Sequence, residues 1–171
     1  MSIVVQLILT LFLYSTILTD SNTFSWTKDR KLVWSDFLGK PDKSNPAAAL
    51  TYTDIKMNAS LNNDVINISV ENVFNKNLSW SKNKNSASLL AHEQLHFDIT
   101  EVYTRKIRQK MNEIATVETM QNGTINKESS KILREWKLFQ NKYDEETKHG
   151  ILIDKQKEWQ LKVEKLLLEI N

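Results

Sequence analysis

Residues 86–99 have the sequence SASLLAHEQLHFDI, and here the pattern of apolar residues changes from the period of strands to that of a helix. Either Ser86 or Ser88 can cap a helix that continues to about Ile114. The residues before this helix predict strands and the residues after it predict more helices. Because strands and helices are segregated along the chain, we expect an α+β fold.

The main sheet is predicted from two runs that alternate apolar and polar residues. The apolar positions of these runs are Ile55, Met57, Ala59 and Leu61, then Ile66, Ile68 and Val70. Residues 62–64, Asn-Asn-Asp, form a good turn between them and predict an antiparallel hairpin. Shorter strands are predicted at residues 24–27, 31–34 and 78–80, with a loop around Gly39, Pro41 and Pro46.

Two more helices are predicted after the first one. A loop at residues 121–126 precedes the second helix, whose apolar face is Ile132, Trp136, Phe139 and Tyr143. Gly150 is suited to end that helix, which places His149 at its C-terminal end. Asp154 can cap the third helix. The fold predicted from these patterns is a small antiparallel or mixed sheet followed by three helices.

The first helix carries the motif HExxH as His92, Glu93 and His96. Helical residues four apart share a face with Cβ atoms about 5–6 Å apart. Two imidazoles at that spacing can bind one zinc ion, each at about 2.0–2.1 Å. Glu93 lies beside them, where a carboxylate can act as the general base of a metal-dependent hydrolase.

A zinc site needs at least one further ligand, and the chain has three histidines and no cysteine. His149 is therefore our first candidate for the third ligand, with Glu145 second and Asp144 third. The predicted cofactor is Zn2+. Tyr143 or Tyr103 is a candidate for stabilising a developing oxyanion.

Composition limits the other function classes. A length of 171 residues fits one domain. A net charge of +2 without basic blocks argues against a nucleic-acid partner. Three glycines leave no phosphate-binding loop, and no G-x-S-x-G sequence supports a serine hydrolase. The expected partner is a protein or peptide substrate, and the oligomeric state stays open.

The N-terminal residues predict export. Residues 3–18 are almost wholly apolar, but the run is shorter than the about 20 residues that span a bilayer. We predict a signal peptide or membrane anchor at residues 1–21 and a metallopeptidase-like domain at residues 22–171. The alternative is a buried element of the fold. If residues 1–21 direct export, we expect the protein to be secreted, periplasmic or in the cell envelope, with only its N-terminal segment in contact with the membrane.

The chain resembles a bacterial family of otherwise uncharacterised exported proteins described as predicted secreted zinc-dependent proteases. Three segments carry the resemblance, LVWSDFLG at 32–39, HEQLHFDI at 92–99 and YDEETKHG at 143–150, together with Gln156 and Trp159. The resemblance implies a zincin-like fold, with a small sheet above the active-site helix and substrate along an edge strand. It also implies His92, His96 and His149 as ligands and Glu93 as general base.

These observations predict an exported zinc-dependent metallohydrolase, and specifically a peptidase. One alternative is a hydrolase that acts on another amide, in cell-envelope material. The other is a non-catalytic envelope domain whose metal is structural. A structural site has a closed fourth position and has no use for a carboxylate such as Glu93 beside its first ligand.

Overall fold

The computed structural model describes residues 22–63 and 65–170. Its strands are β1 (Thr23–Ser25), β2 (Ala49–Leu50), β3 (Thr53–Asn62), β4 (Val65–Asn75) and β5 (Trp80–Ser81). Its helices are α1 (Ala87–Ile114), α2 (Val117–Gln121), α3 (Thr124–Thr147) and α4 (Ile153–Glu169). Strands precede helices, so the predicted α+β class is confirmed.

The larger sheet has the strand order β1-β4-β3, and both pairings are antiparallel. The register of β3 and β4 runs from Thr53 opposite Phe74 to Asn62 opposite Val65. Of the predicted turn, Asn63 follows β3 directly and has a φ of 49°. Asparagine tolerates this left-handed conformation better than most residues. The predicted hairpin is therefore confirmed.

The helix that carries HExxH lies at the centre of the molecule. The Ser86 side chain accepts a hydrogen bond from the Leu89 backbone N–H at 3.2 Å, which confirms the predicted cap of α1. One face of α1 packs on α3 and α4; its core residues there are Leu95, Ile99, Val102 and Tyr103, in contact with Tyr143, Trp159 and Val163. Further along α1, Ile107 and Met111 pack with Val70 of the sheet. The site helix is thus held between the sheet and two helices.

The strand predicted at residues 31–34 is wrong. Asp36 accepts hydrogen bonds from Arg30 Nη2 at 2.9 Å and from the Val33 backbone N–H at 3.0 Å. These local bonds favour a short 3-10 helix, Trp34–Asp36, over an extended strand. The unpredicted strand β2 follows the predicted loop around Gly39, Pro41 and Pro46. The strand predicted at residues 78–80 lies one to two residues later, as β5.

Two helix boundaries also differ from the prediction. The described residues contain a fourth, short helix, α2, because Thr116 caps it by accepting a hydrogen bond from the Thr119 N–H at 3.1 Å. Asp154 does not cap α4; it lies in the first turn, and Leu152 occupies the cap position. The loop predicted at residues 121–126 ends too late, since α3 begins at Thr124.

No helix in the described part of the chain is long and apolar enough to cross a membrane. The signal peptide or anchor predicted at residues 1–21 lies outside the described residues.

Candidate metal centre

His92 and His96 point their ring nitrogens toward each other from consecutive turns of α1. The two Nε2 atoms are 3.2 Å apart. His92 is buried, and the side chain of His96 is mostly buried. The predicted convergence of the two imidazoles is therefore present in the structure.

Asp144 of α3 brings a carboxylate oxygen to the same point. Its Oδ1 atom lies 3.1 Å from His92 Nε2 and 3.0 Å from His96 Nε2. Ligand atoms bound tetrahedrally at about 2.0–2.1 Å are about 3.3 Å from one another. Two imidazole nitrogens and one carboxylate oxygen are donor atoms that zinc binds. Their separations are slightly shorter than those expected between the ligand atoms of a tetrahedral zinc ion.

His149 lies at the edge of this group. Lys148 and His149 adopt left-handed φ values of 52° and 54° directly after α3, which turns the chain back toward α1. His149 Nδ1 is 3.4 Å from Asp144 Oδ1, and the ligand atoms of His92, Asp144 and His149 all lie within 4.8 Å of one another. The His149 side chain is 72% exposed, so it is held less firmly than the other three groups.

The structure separates the two acidic candidates for the third ligand. Asp144 is four residues after Gln140 and eight after Trp136, and all three line the cavity at the site. Glu145 is exposed on the outer surface of α3, near Lys142 and Lys148. Helical rotation of about 100° per residue explains why neighbouring carboxylates point in such different directions. Asp144, ranked last from the sequence, is therefore the acidic candidate that contacts the histidines.

Two glutamines orient the imidazoles from behind. His96 Nδ1 donates to Gln140 Oε1 at 2.6 Å, and His92 Nδ1 donates to Gln156 Oε1 at 3.2 Å. Gln140 Nε2 in turn donates to the His96 carbonyl oxygen at 2.9 Å, which fixes the orientation of its amide. With Nδ1 protonated, the neutral form of each ring presents its Nε2 lone pair to the centre, which is the tautomer that a metal ligand requires. A ring that carries a second proton donates it from Nε2 to Asp144 Oδ1 instead. No pattern in the sequence predicts a role for Gln140, and Gln156 belongs to the prediction only through the family resemblance.

Tyr143 supports this arrangement without facing the cavity. Its ring stacks on His92 with centroids 4.6 Å apart, and its hydroxyl donates to Gln156 Oε1 at 2.7 Å. Burial raises the pKa of Tyr143 well above its ordinary value, so the phenol stays protonated. Tyr103 is buried in the core beside Phe139. Neither tyrosine lines the cavity at the site, so the prediction that one of them stabilises an oxyanion has no geometric support.

The electrostatics of the centre favour a cation. Burial acts to raise the pKa of Asp144, but hydrogen bonds with His92 and His96 outweigh it and lower that pKa well below its usual range. Burial likewise acts to lower the pKa of His96, but the bond with Asp144 and the nearby charge of Glu93 raise it above its ordinary value. An ionised Asp144 therefore draws positive charge, either a proton or a metal ion, to the space beside the Nε2 atoms.

Glu93 is buried beside the histidines with one oxygen left without a partner. The residue is 3% exposed, and Oε2 has no hydrogen-bond partner within the described residues. Burying a carboxylate oxygen without a hydrogen-bond partner costs free energy, so such an oxygen calls for an explanation. Glu93 also lines the cavity, so this oxygen can accept a hydrogen bond or a proton from a molecule bound there.

The cavity at the centre has a volume of about 460 Å³. One wall is the backbone and side chains of residues 47–53, which include β2. The opposite wall comes from α1 and α3 and holds His92, Glu93, His96 and Asp144. The cluster is thus open to a molecule lying between the strand segment and the helices.

A search of curated proteins and of solved structures returns no match. Residues 42–150 match a protein family, and this range holds His92, Glu93, His96, Asp144 and His149 together with the strand wall of the cavity. Gln156, which contacts His92, lies beyond the matched range. The match covers more than half of the 171 residues, and the chain therefore belongs to the family described as "Bacterial protein of unknown function (DUF922)".

Proposed function

We propose that the protein is a zinc-dependent hydrolase that cleaves peptide bonds. The observation that carries the proposal is the meeting of His92 Nε2, His96 Nε2 and Asp144 Oδ1 within 3.2 Å of one another, with the unpartnered carboxylate oxygen of Glu93 in the same cavity. Histidine and carboxylate ligands suit zinc, and a chain without cysteine has no thiolate to offer.

The ligand set we propose adds Asp144 to the predicted histidines. His92, His96 and Asp144 hold the ion, because their donor atoms are closest together and their side chains are packed or hydrogen-bonded. His149 is the fourth group within reach, and its exposure makes it the weakest contributor. Gln140 and Gln156 keep the two buried rings in the binding tautomer.

Within this site Glu93 is the residue that transfers protons. A bound zinc ion supplies Lewis acidity and lowers the pKa of water toward neutrality. Glu93 accepts the proton that the attacking water loses and can later pass it to the leaving amine. The walls of the cavity, residues 47–53 and α3, hold the substrate backbone so that its carbonyl faces the cluster.

One observation favours a second candidate function, a structural metal site. Four protein groups lie within reach of the centre, and four protein ligands close a tetrahedral site. We prefer a hydrolase because of the unpartnered Glu93 oxygen, since a structural metal site does not need a general base beside its ligands.

We also propose that the protein acts outside the cytoplasm, on the basis of the apolar run at residues 3–18. Cell fractionation of the source bacterium with an antibody against residues 22–171 tests this. Recovery of the whole pool from the cytoplasm contradicts it.

Metal analysis joined to a cleavage assay tests the function. Purified protein should carry about one zinc per chain, measured beside iron and manganese by plasma mass spectrometry. Wild-type protein should cleave members of a peptide library, and Glu93→Gln should keep the zinc while losing at least about 100-fold in rate, the usual contribution of a general base. Full cleavage by Glu93→Gln excludes it as the base, and zinc without any cleavage favours the structural site.

A further inference from the structure

A second cavity, of about 590 Å³, adjoins the cavity at the metal centre. Four residues line both cavities: Ala47, Ala48, Leu89 and His149. His149 therefore stands between the two cavities, and a molecule that extends past it from the metal centre enters the second one. We name this second cavity the apolar subsite.

The apolar subsite is lined by uncharged residues apart from the imidazole of His149, and its polar members are Asn45, Asn83, Ser86 and Ser88. No Lys, Arg, Asp or Glu is found among the described residues that line it, although such residues make up 26% of the chain. Its walls come from residues 45–48, the start of α1, and the segment that joins α3 to α4. That segment presents Ile151, which is 75% exposed, and α4 begins with Ile153, which is 49% exposed. Exposed apolar side chains gathered beside a polar cluster are typical of a binding surface.

The first cavity differs in character. Besides the candidate ligands it is lined by Glu93 and Lys137, so it contains charges of both signs. The strand segment at residues 47–53 runs along this cavity and begins in the wall of the apolar subsite. An extended substrate that follows this segment meets charged and polar groups at one end and Ile151 and Ile153 at the other.

We propose that the apolar subsite binds an apolar side chain of the substrate close to the bond that is cleaved, so that the substrates are peptide segments with a residue of about leucine size at that position. This proposal rests on the proposed peptidase function and adds the substrate class. An apolar side chain bound there covers Ile151 and Ile153 and removes its own surface from water. A charged side chain at the same position loses water and meets no opposite charge, which penalises it.

Binding of two fluorescein-labelled peptides tests the subsite. Both are Gly/Ser decapeptides, one with a central Leu-Leu pair and the other with Lys-Lys, and fluorescence anisotropy measures their binding to zinc-loaded Glu93→Gln protein. We expect the Leu-Leu peptide to bind at least about tenfold more tightly, the usual value of one well-placed apolar group. Ile151→Asp should reverse this preference, because it replaces the more exposed of the two isoleucines in the wall with a charge that attracts lysine. The control is Leu161→Asp, at a position on α4 that is 68% exposed and lines neither cavity; it should leave both affinities unchanged.

The outcomes separate the two proposals. Reversal of the binding preference supports the subsite even where wild-type protein cleaves neither peptide, and in that case the peptidase proposal fails alone. Cleavage of either peptide with a Leu-Leu to Lys-Lys ratio that is the same in wild type and Ile151→Asp overturns the subsite and leaves the peptidase proposal standing. Failure of both peptides to bind, or an equal effect of Leu161→Asp and Ile151→Asp, also overturns the subsite.

Discussion

Gly150 lies directly against the side chain of His92, so closely that a Cβ atom built at Gly150 would be 2.9 Å from His92 Cβ and 2.9 Å from the ring atom Cγ. The φ of Gly150 is +80°, a conformation that residues with a side chain rarely adopt. The same short turn carries His149 to Asp144. Gly150 therefore lets the chain turn back onto α1 without displacing the imidazole of His92.

Gly150→Ala should lower both the stability of the fold and the affinity for zinc. The strained φ should lower the free energy of unfolding by about 1–3 kcal/mol, and the contact with His92 should displace the ring from the metal centre. Gly123→Ala is a matched control, because Gly123 has the same φ of +80° but has no atom within 4 Å of a built Cβ. Urea denaturation and zinc titration of both variants measure the two effects. Equal zinc affinity in the two variants would show that Gly150 does not position His92.

The glutamines behind the histidines should control the zinc affinity. Removing a hydrogen-bond partner of a ligating imidazole typically costs 10–100-fold in affinity, so we expect about that loss for Gln156→Ala and for Gln140→Ala. Gln160→Ala is the control, because within residues 22–63 and 65–170 the Gln160 side chain bonds only to Glu164, on the exposed face of α4. Competition with a fluorescent zinc chelator gives the three affinities.

Tyr143→Phe measures the effect of the hydroxyl on zinc affinity separately from that of the ring, in the same competition assay. The variant keeps the ring that stacks on His92 but removes the hydroxyl that donates to Gln156. We expect a loss of zinc affinity smaller than that of Gln156→Ala. A loss as large would mean that Gln156 acts mainly through Tyr143.

Alkaline pH should unfold the protein partly through Tyr103. Burial raises the pKa of Tyr103 from 10.0 to about 12, while the unfolded chain keeps the ordinary value. The contribution of the neutral phenol to stability is therefore fully present below pH 10 and is lost as the pH rises toward 12. Tyr103→Phe should flatten this loss in urea titrations between pH 9 and about 11.5, and Tyr52→Phe, at an exposed position, should not. The same slope in Tyr103→Phe and wild type would assign the loss to other groups, including Tyr143, whose pKa is also raised by burial.

The elements that the sequence predicts well are those whose apolar period repeats several times. The hairpin of β3 and β4 and the long helix α1 each repeat their pattern often enough for the buried face to be identified. Strand β2 has two residues and exists through its pairing with β5 about 30 positions later, so no local pattern reveals it. At residues 31–34 the aromatic and apolar pattern favoured a strand, but the carboxylate of Asp36 bonds the local backbone and prevents it.

The site shows the same division. His92, Glu93 and His96 could be predicted because their spacing is a property of one helix. The choice among Asp144, Glu145 and His149 depends on which face of α3 is turned toward α1. Burial of Tyr143 and Thr147 sets this rotation. Trp136, Gln140 and Asp144 follow one another at intervals of four, so they share one face of α3. This spacing is the signal that could have ranked Asp144 first.

The candidate ligands should differ in how much zinc binding depends on each. Asp144→Asn keeps the shape of the side chain but removes the charge that lies 3.0 and 3.1 Å from the two Nε2 atoms, so we expect it to lose most of the zinc. Glu145→Gln removes the neighbouring charge on the exposed face of α3 and should leave the zinc content at the wild-type value. His149→Ala should lie between them, because His149 contacts the group only at its edge and from solvent. Plasma mass spectrometry after dialysis against a weak chelator gives the order, and a zinc content in Asp144→Asn equal to that in Glu145→Gln would remove Asp144 from the ligand set. A complete loss in His149→Ala with full retention in Asp144→Asn would instead make His149 the third ligand, as its position in the sequence suggests.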